Sequence, residues 1–215
     1  MTNSLRSLLV AAVCLLPSLG QAATVTLNPT ADAYVQAGAN ANINFGNVTR
    51  LRSQTTDGTT LYDYESYLKF DTVTATGQIT SAKLRLYSAT SGVGSVAVTA
   101  HGVADTNWNE STITWNNKPA RGTAFGTAMV SGTSYIWREI DVTDHILQER
   151  NAGRSLVSLG LANTASSSVY AHANSRNAEF NWPELVIVTA ANVAPTVSLT
   201  APANGASYTA PASIS

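Results

Sequence analysis

Residues 79–88 read Ile-Thr-Ser-Ala-Lys-Leu-Arg-Leu-Tyr-Ser, and from Lys83 to Leu86 a basic side chain and a leucine alternate at every step. A period of two belongs to a strand with one buried face, because successive side chains in a strand point to opposite sides. Residues 65–71 repeat the pattern, with Leu68 and Phe70 in one phase and Tyr67 and Lys69 in the other, and Leu51 lies between Arg50 and Arg52 within 49–53. Working outward, runs rich in Val, Ile, Thr and Tyr predict further strands at 24–27, 33–36, 95–101, 112–115, 135–142, 155–162, 168–171 and 184–189. About ten short strands separated by Gly, Asn, Ser and Asp indicate an all-β, two-sheet antiparallel sandwich. One short helical excursion is expected over 142–151, where Thr143 can cap, Ile146 and Leu147 form a small apolar face, and Asn151 and Gly153 stop it.

The composition of the 215-residue chain agrees with that class. Hydrophobic residues make up 44% and charged residues only 12%, about half the charge usual in a soluble domain, as expected of an exported β protein. Twelve Lys and Arg against 13 Asp and Glu leave a net charge of -1, so no overall basic field exists to gather nucleic acid. One cysteine and three histidines show no zinc-finger or CxxC spacing.

Domain organisation follows from three composition shifts. Arg6, the apolar run 8–16, Pro17 and the small residues Gly20, Ala22 and Ala23 predict a secretory signal peptide over 1–22, hence a secreted, extracellular or cell-surface protein. The apolar run is about half of the roughly 20 residues that span a bilayer, so no membrane span is expected. Cys14 lies inside that run and leaves with it, as does Arg6, which brings the mature chain to 11 basic residues. The sandwich is expected over 23–190, a linker over 191–195, and then an uncharged stretch, 196–215, that resembles the first strand and turn of a bacterial immunoglobulin-like module. A module of that kind needs on the order of 100 residues, so a monomeric unit within a longer multidomain chain is expected.

Several motifs carry a more specific resemblance. Ala31-Asp-Ala-Tyr-Val, Asn44-Phe-Gly, Ser66-Tyr-Leu-Lys-Phe-Asp, Ile79-Thr-Ser-Ala-Lys-Leu-Arg-Leu-Tyr, the stretch Trp108-Asn-Glu-Ser-Thr-Ile-Thr-Trp-Asn-Asn-Lys-Pro, Asp141-Val-Thr and Pro183-Glu-Leu occur in that order. Together they resemble the DNRLRE domain, which is similar to carbohydrate-binding module family 96. The family's Ser-Arg/Lys-Glu corner reads Ser175-Arg176-Asn177-Ala178-Glu179 here, which shifts its acidic residue. The resemblance implies a jelly-roll sandwich attached to secreted enzymes or surface proteins, with an acidic polysaccharide of the alginate type as ligand.

Strand phase gives an independent route to that ligand. If Leu51, Leu68, Phe70, Leu84 and Leu86 point inward, then Arg50, Arg52, Lys69, Lys83 and Arg85 point outward, with Tyr67 and Tyr87 in the same outward phase. Were the three strands neighbours about 4.8 Å apart, these seven residues would form a basic, aromatic track for uronate carboxylates, with arginine supplying two-pronged donors. The alternative is a solvated face neutralised by Asp57, Asp63, Glu65 and Asp71. Trp108 to Trp115 reads as a structural corner: Trp115 is in phase with Ile113, and Asn109, Ser111, Asn116 and Asn117 are turn formers.

No cofactor is required by any motif. Structural calcium is a further expectation from secreted jelly rolls by analogy, with Asp32 and Asp141 as ligands; against it, each carboxylate can simply accept backbone N–H groups at a turn. Catalytic motifs are lacking: there is no GxSxG, P-loop, GxGxxG or HExxH, and His101, His145 and His172 stand apart. Three readings therefore remain: a non-catalytic module binding an acidic polysaccharide, which the motifs favour; a structural or adhesive spacer; and a small polysaccharide lyase assembled from Tyr, His and Arg that meet only in space.

Overall fold

The computed structural model describes residues 22–56 and 62–191. The expected signal peptide, linker and immunoglobulin-like start fall outside the described residues, apart from residues 22 and 191.

Among the described residues there are eleven strands: β1 (Ala23–Leu27), β2 (Ala31–Gln36), β3 (Arg50–Ser53), β4 (Tyr64–Asp71), β5 (Ile79–Thr90), β6 (Ser95–Val103), β7 (Ala124–Ser131), β8 (Ile136–Asp141), β9 (Leu156–Asn163), β10 (Ala171–Asn174) and β11 (Glu184–Thr189). They form two antiparallel sheets. The first has the order β1-β11-β5-β10-β3, with β8 on the other side of β5; the second has the order β2-β4-β9-β6-β7. From β1 to β6 the chain changes sheet at every step, the winding expected of a jelly roll.

Register explains which side chains meet in the core. Leu84 lies opposite Leu185 on one side and Ile140 on the other, and Leu51 opposite Ala173. These inward residues join Leu68, Phe70, Leu159 and Leu161 of the facing sheet in one buried cluster. Burying a Leu or Phe side chain contributes about 1.5–3 kcal/mol relative to exposure, so the inward phase dictates the register of every strand in it.

Two differences from the sequence reading have physical causes. Residues 112–115 are not a strand but part of the loop from Trp108 to Pro119, which folds over the outer face of the second sheet. Trp108 and Ile113 pack there against Ala33, Val35 and Tyr67, so β4 is covered on both faces and Tyr67 is 0% exposed. The strand β7, whose residues Ala124 to Ser131 show weak alternation, is fixed instead by its antiparallel register with β6.

The helix α1 (Thr143–Asn151) forms where expected, but Thr143 is its first residue and not its cap. The Asp141 carboxylate accepts the Thr143 N–H at 2.9 Å, which holds its pKa below the ordinary carboxylate value. Among the described residues no helix is long and apolar enough to cross a membrane.

Candidate carbohydrate-binding groove

The five outward cations keep their predicted phase but do not share one face. Arg50 and Arg52 lie on β3 and Lys83 and Arg85 on β5, with β10 between them, whereas Lys69 lies on β4 in the other sheet. Lys69 donates to the Trp108 carbonyl at 2.7 Å and sits 4.5 Å from that indole's centroid, fastening the corner loop. Lys83 pairs with Glu139 at 2.8 Å, and Arg85 with Glu184 at 2.6 Å and Glu139 at 3.4 Å. Tyr67 donates to Glu65 and is sealed beneath the corner loop, so its expected outward position is corrected. The continuous basic track therefore reduces to Arg50 and Arg52.

These two arginines have no carboxylate partner among the described residues. The Arg50 guanidinium donates to Asn174 Oδ1 and lies 4.7 Å from the centre of the Tyr135 ring. That of Arg52 is surrounded by Tyr34, Tyr64 and Tyr170 at 5.0–5.4 Å. Cation–π contacts of this kind contribute about 0.5–2 kcal/mol and leave the N–H groups of Arg52, and those of Arg50 that do not donate to Asn174, open to an incoming anion.

Register places a histidine beside this pair. His172 of β10 lies opposite Arg52 of β3 and Ala89 of β5, and Asn174 lies opposite Arg50. The small Ala89 leaves room over the sheet for the Tyr135 ring, which stacks on His172 at 5.0 Å and lies 5.4 Å from Tyr87. From Trp137 the rings continue in contact through Tyr87, Tyr135, His172, Tyr170, Tyr64 and Tyr34 to Phe45. Burial, reinforced by the charges of Arg50 and Arg52, lowers the His172 pKa to about 4, so the imidazole is neutral at pH 7.

The surface along this ladder is a groove in three connected parts. The central part, about 500 Å³, is lined by Arg50, Arg52, Tyr135, Tyr170 and His172. On one side it continues past Arg50 and Tyr135 into about 370 Å³ bordered by Tyr87, Glu179 and Phe180. On the other it continues past Tyr170 into about 650 Å³ bordered by Tyr62, Tyr64 and Ser166 to Ser168. Of the seven expected site residues, the structure gathers Arg50, Arg52 and Tyr87 here and leaves Lys69, Lys83, Arg85 and Tyr67 outside the groove lining. Tyr135, Tyr170 and His172 were missed, although Tyr170, His172 and Asn174 alternate with Val169, Ala171 and Ala173, a period-two pattern extending past the predicted strand end.

The family-like motifs build a different structure. Asn44 Nδ2 donates to the carbonyls of Glu110 and Ile113, Asn177 Nδ2 donates to the Gly46 carbonyl, and Arg176 pairs with Glu110 at 2.8 Å. Asp32, 0% exposed, accepts the Arg176 N–H through Oδ2 while its own N–H donates to Glu110. This latch ties β2, the corner loop and the turn after β10 together. Asp141 lies elsewhere, at the end of β8, where it accepts the Thr143 N–H, and no group of three or more His, Cys, Asp or Glu able to hold a metal gathers among the described residues. Asp32 and Asp141, the carboxylates expected for calcium, each accept a backbone N–H group, from Arg176 and from Thr143.

Burial without a partner for Asp32 Oδ1 raises that carboxyl to a pKa of about 7. Because the folded value lies above the unfolded one, its stabilising contribution is complete below the ordinary 3.8 and is lost as pH rises through about 7. Asp32→Asn keeps an acceptor for the Arg176 N–H without the charge. Denaturant unfolding should show the variant more stable than the natural chain at about pH 8, by on the order of 1–2 kcal/mol, with the gap shrinking toward about pH 5; equal profiles would contradict the account of Asp32.

An antiparallel sandwich with an aromatic-lined open groove has the form of a carbohydrate-binding module. The model of carbohydrate-binding module family 96 matches residues 23–189, and the chain belongs to that family. A gellan lyase from Bacillus sp is 28% identical over 176 residues, which cover 79% of this chain but only 7% of that protein. The chain therefore matches a small part of that relative.

Proposed function

We propose that this carbohydrate-binding module, carried by a secreted protein, binds an acidic polysaccharide in the groove between β3, β10 and Tyr135, without cleaving it. The observation that supports this most is the pair Arg50 and Arg52, two guanidinium groups without a carboxylate partner among the described residues, held open by tyrosine rings. A uronate carboxylate accepts from the arginine N–H groups that the protein does not use, and exposed aromatic rings farther along the groove take the C–H faces of adjoining sugars. Alginate remains one candidate polymer, and gellan, named for the relative, is a second. Binding of the chain to alginate, gellan, chitin and cellulose, at low and at high salt, tests it. Salt-weakened binding to the acidic polymers alone supports the reading. Affinity for none of them would instead favour a spacer, and new ultraviolet absorbance from unsaturated sugar ends would mark a lyase.

His172 supplies a second readout. The groups facing it are Arg50, Arg52, Tyr135 and Tyr170, and a carboxylate bound to the arginines offsets the two positive charges that help hold its pKa near 4. Binding then takes up a proton, so affinity should rise as pH falls from about 7 to about 5 and stay level in His172→Gln. Titration calorimetry across that range checks it; identical slopes in both proteins would contradict it.

A further inference from the structure

The charge layout along the groove restricts which acidic polysaccharide fits. Among the residues lining its three parts, the permanent cations are Arg50 and Arg52, and both border the central part. Beyond Arg50 the wall carries the Glu179 carboxylate and the ring of Phe180, which is 61% exposed. Beyond Tyr170 it carries hydroxyls of Ser166, Ser167 and Ser168 and the rings of Tyr64 and Tyr62, the latter 59% exposed. Lys83 and Arg85 lie outside the groove lining and are held by Glu139 and Glu184.

A polymer with a carboxylate on every sugar would set one of them against Glu179 and others among serines and tyrosines with no cation to meet them. Like charges at close range and a carboxylate stripped of water without a counter-charge are both unfavourable. Exposed aromatic rings at both ends are suited instead to the apolar faces of neutral sugars.

From this layout we infer that the groove selects internal segments of a heteropolysaccharide in which a single uronate is flanked on both sides by neutral sugars, the uronate at Arg50 and Arg52 and its neighbours on Phe180 and Tyr62. This rests on the reading of the groove as an acidic-polysaccharide site and specifies its ligand.

Affinity electrophoresis and calorimetry of the full chain with alginate, in which every sugar is a uronate, with gellan, in which neutral sugars separate the uronates, and with carboxyl-reduced gellan test it. Gellan should bind at least about tenfold tighter than alginate per carboxylate, and carboxyl reduction should cost at least about tenfold, as expected for loss of one charge-assisted contact. Tyr62→Ala and Phe180→Ala, at exposed positions that leave the core intact, should each weaken gellan binding about three- to tenfold without changing its salt dependence. Alginate bound as tightly as gellan, or gellan binding indifferent to both variants, would overturn the selectivity while leaving the acidic-polysaccharide reading in place. No salt-sensitive binding to either acidic polymer would overturn the reading itself, and the selectivity with it.

Discussion

Replacing Arg50 and Arg52 together by alanine should lower affinity for an acidic polysaccharide by at least about 100-fold, since each hydrogen bond to a charged group contributes about 1.5–3 kcal/mol and 1.4 kcal/mol is tenfold. The loss should exceed that of either single variant, because both guanidinium groups border one depression. Lysine at both positions keeps the charge but not the planar fork, and should recover only part of the affinity. Lys83→Ala is the contrasting control: its ammonium is exposed and paired with Glu139, so binding should change by less than about twofold. Calorimetry at low salt, with thermal unfolding alongside to confirm that the variants fold, decides between this and a general charge effect. Equal losses from Lys83→Ala and from the arginine pair would assign the attraction to overall charge.

Gly46→Ala should be the most damaging single substitution in the latch. An added Cβ would lie 1.9 Å from the Glu110 carbonyl oxygen and 2.6 Å from its carbon, so the backbone of the corner loop itself must retreat. That displaces the two carbonyls that bond Asn44, the Arg176 ion pair and the Trp108 indole, whose N–H reaches Ser158 at 2.7 Å. A loss of about 3 kcal/mol or more is expected, the range of overpacking against an unyielding wall combined with broken buried hydrogen bonds. Chemical denaturation measures it. A loss under about 1 kcal/mol would show that the loop can shift freely and that the latch does not hold it.

The same two sites show what alternation can and cannot reveal. Lys83, Leu84, Arg85 and Leu86 fall on the faces their period assigned, because a strand with one buried side fixes phase as well as register. Alternation says nothing about which strand lies beside which. The expected basic track needed β3, β4 and β5 to be neighbours, and long-range pairing put β10 between β3 and β5 and moved β4 to the other sheet. Tyr67 failed for a related reason: its phase is outward, but a loop more than forty residues later covers it. The corner motif itself was legible as structure from its Asn and Ser residues, and Asn109 Oδ1 and Asn117 Oδ1 do accept local backbone N–H groups. The groove was not, since Arg52 and His172 come together by long-range strand pairing, and Tyr135, just before β8, reaches them by stacking on His172.

The most direct test of the groove as the ligand site is a nuclear magnetic resonance titration of the chain with an acidic oligosaccharide, following the arginine Nε–H and histidine ring signals. The account predicts that the Arg50, Arg52 and His172 signals shift and saturate together, with His172 moving toward its protonated position, while those of Arg85, His101 and His145 stay in place. Saturable shifts centred on Arg85 or His101, with the Arg52 and His172 signals unmoved, would contradict it.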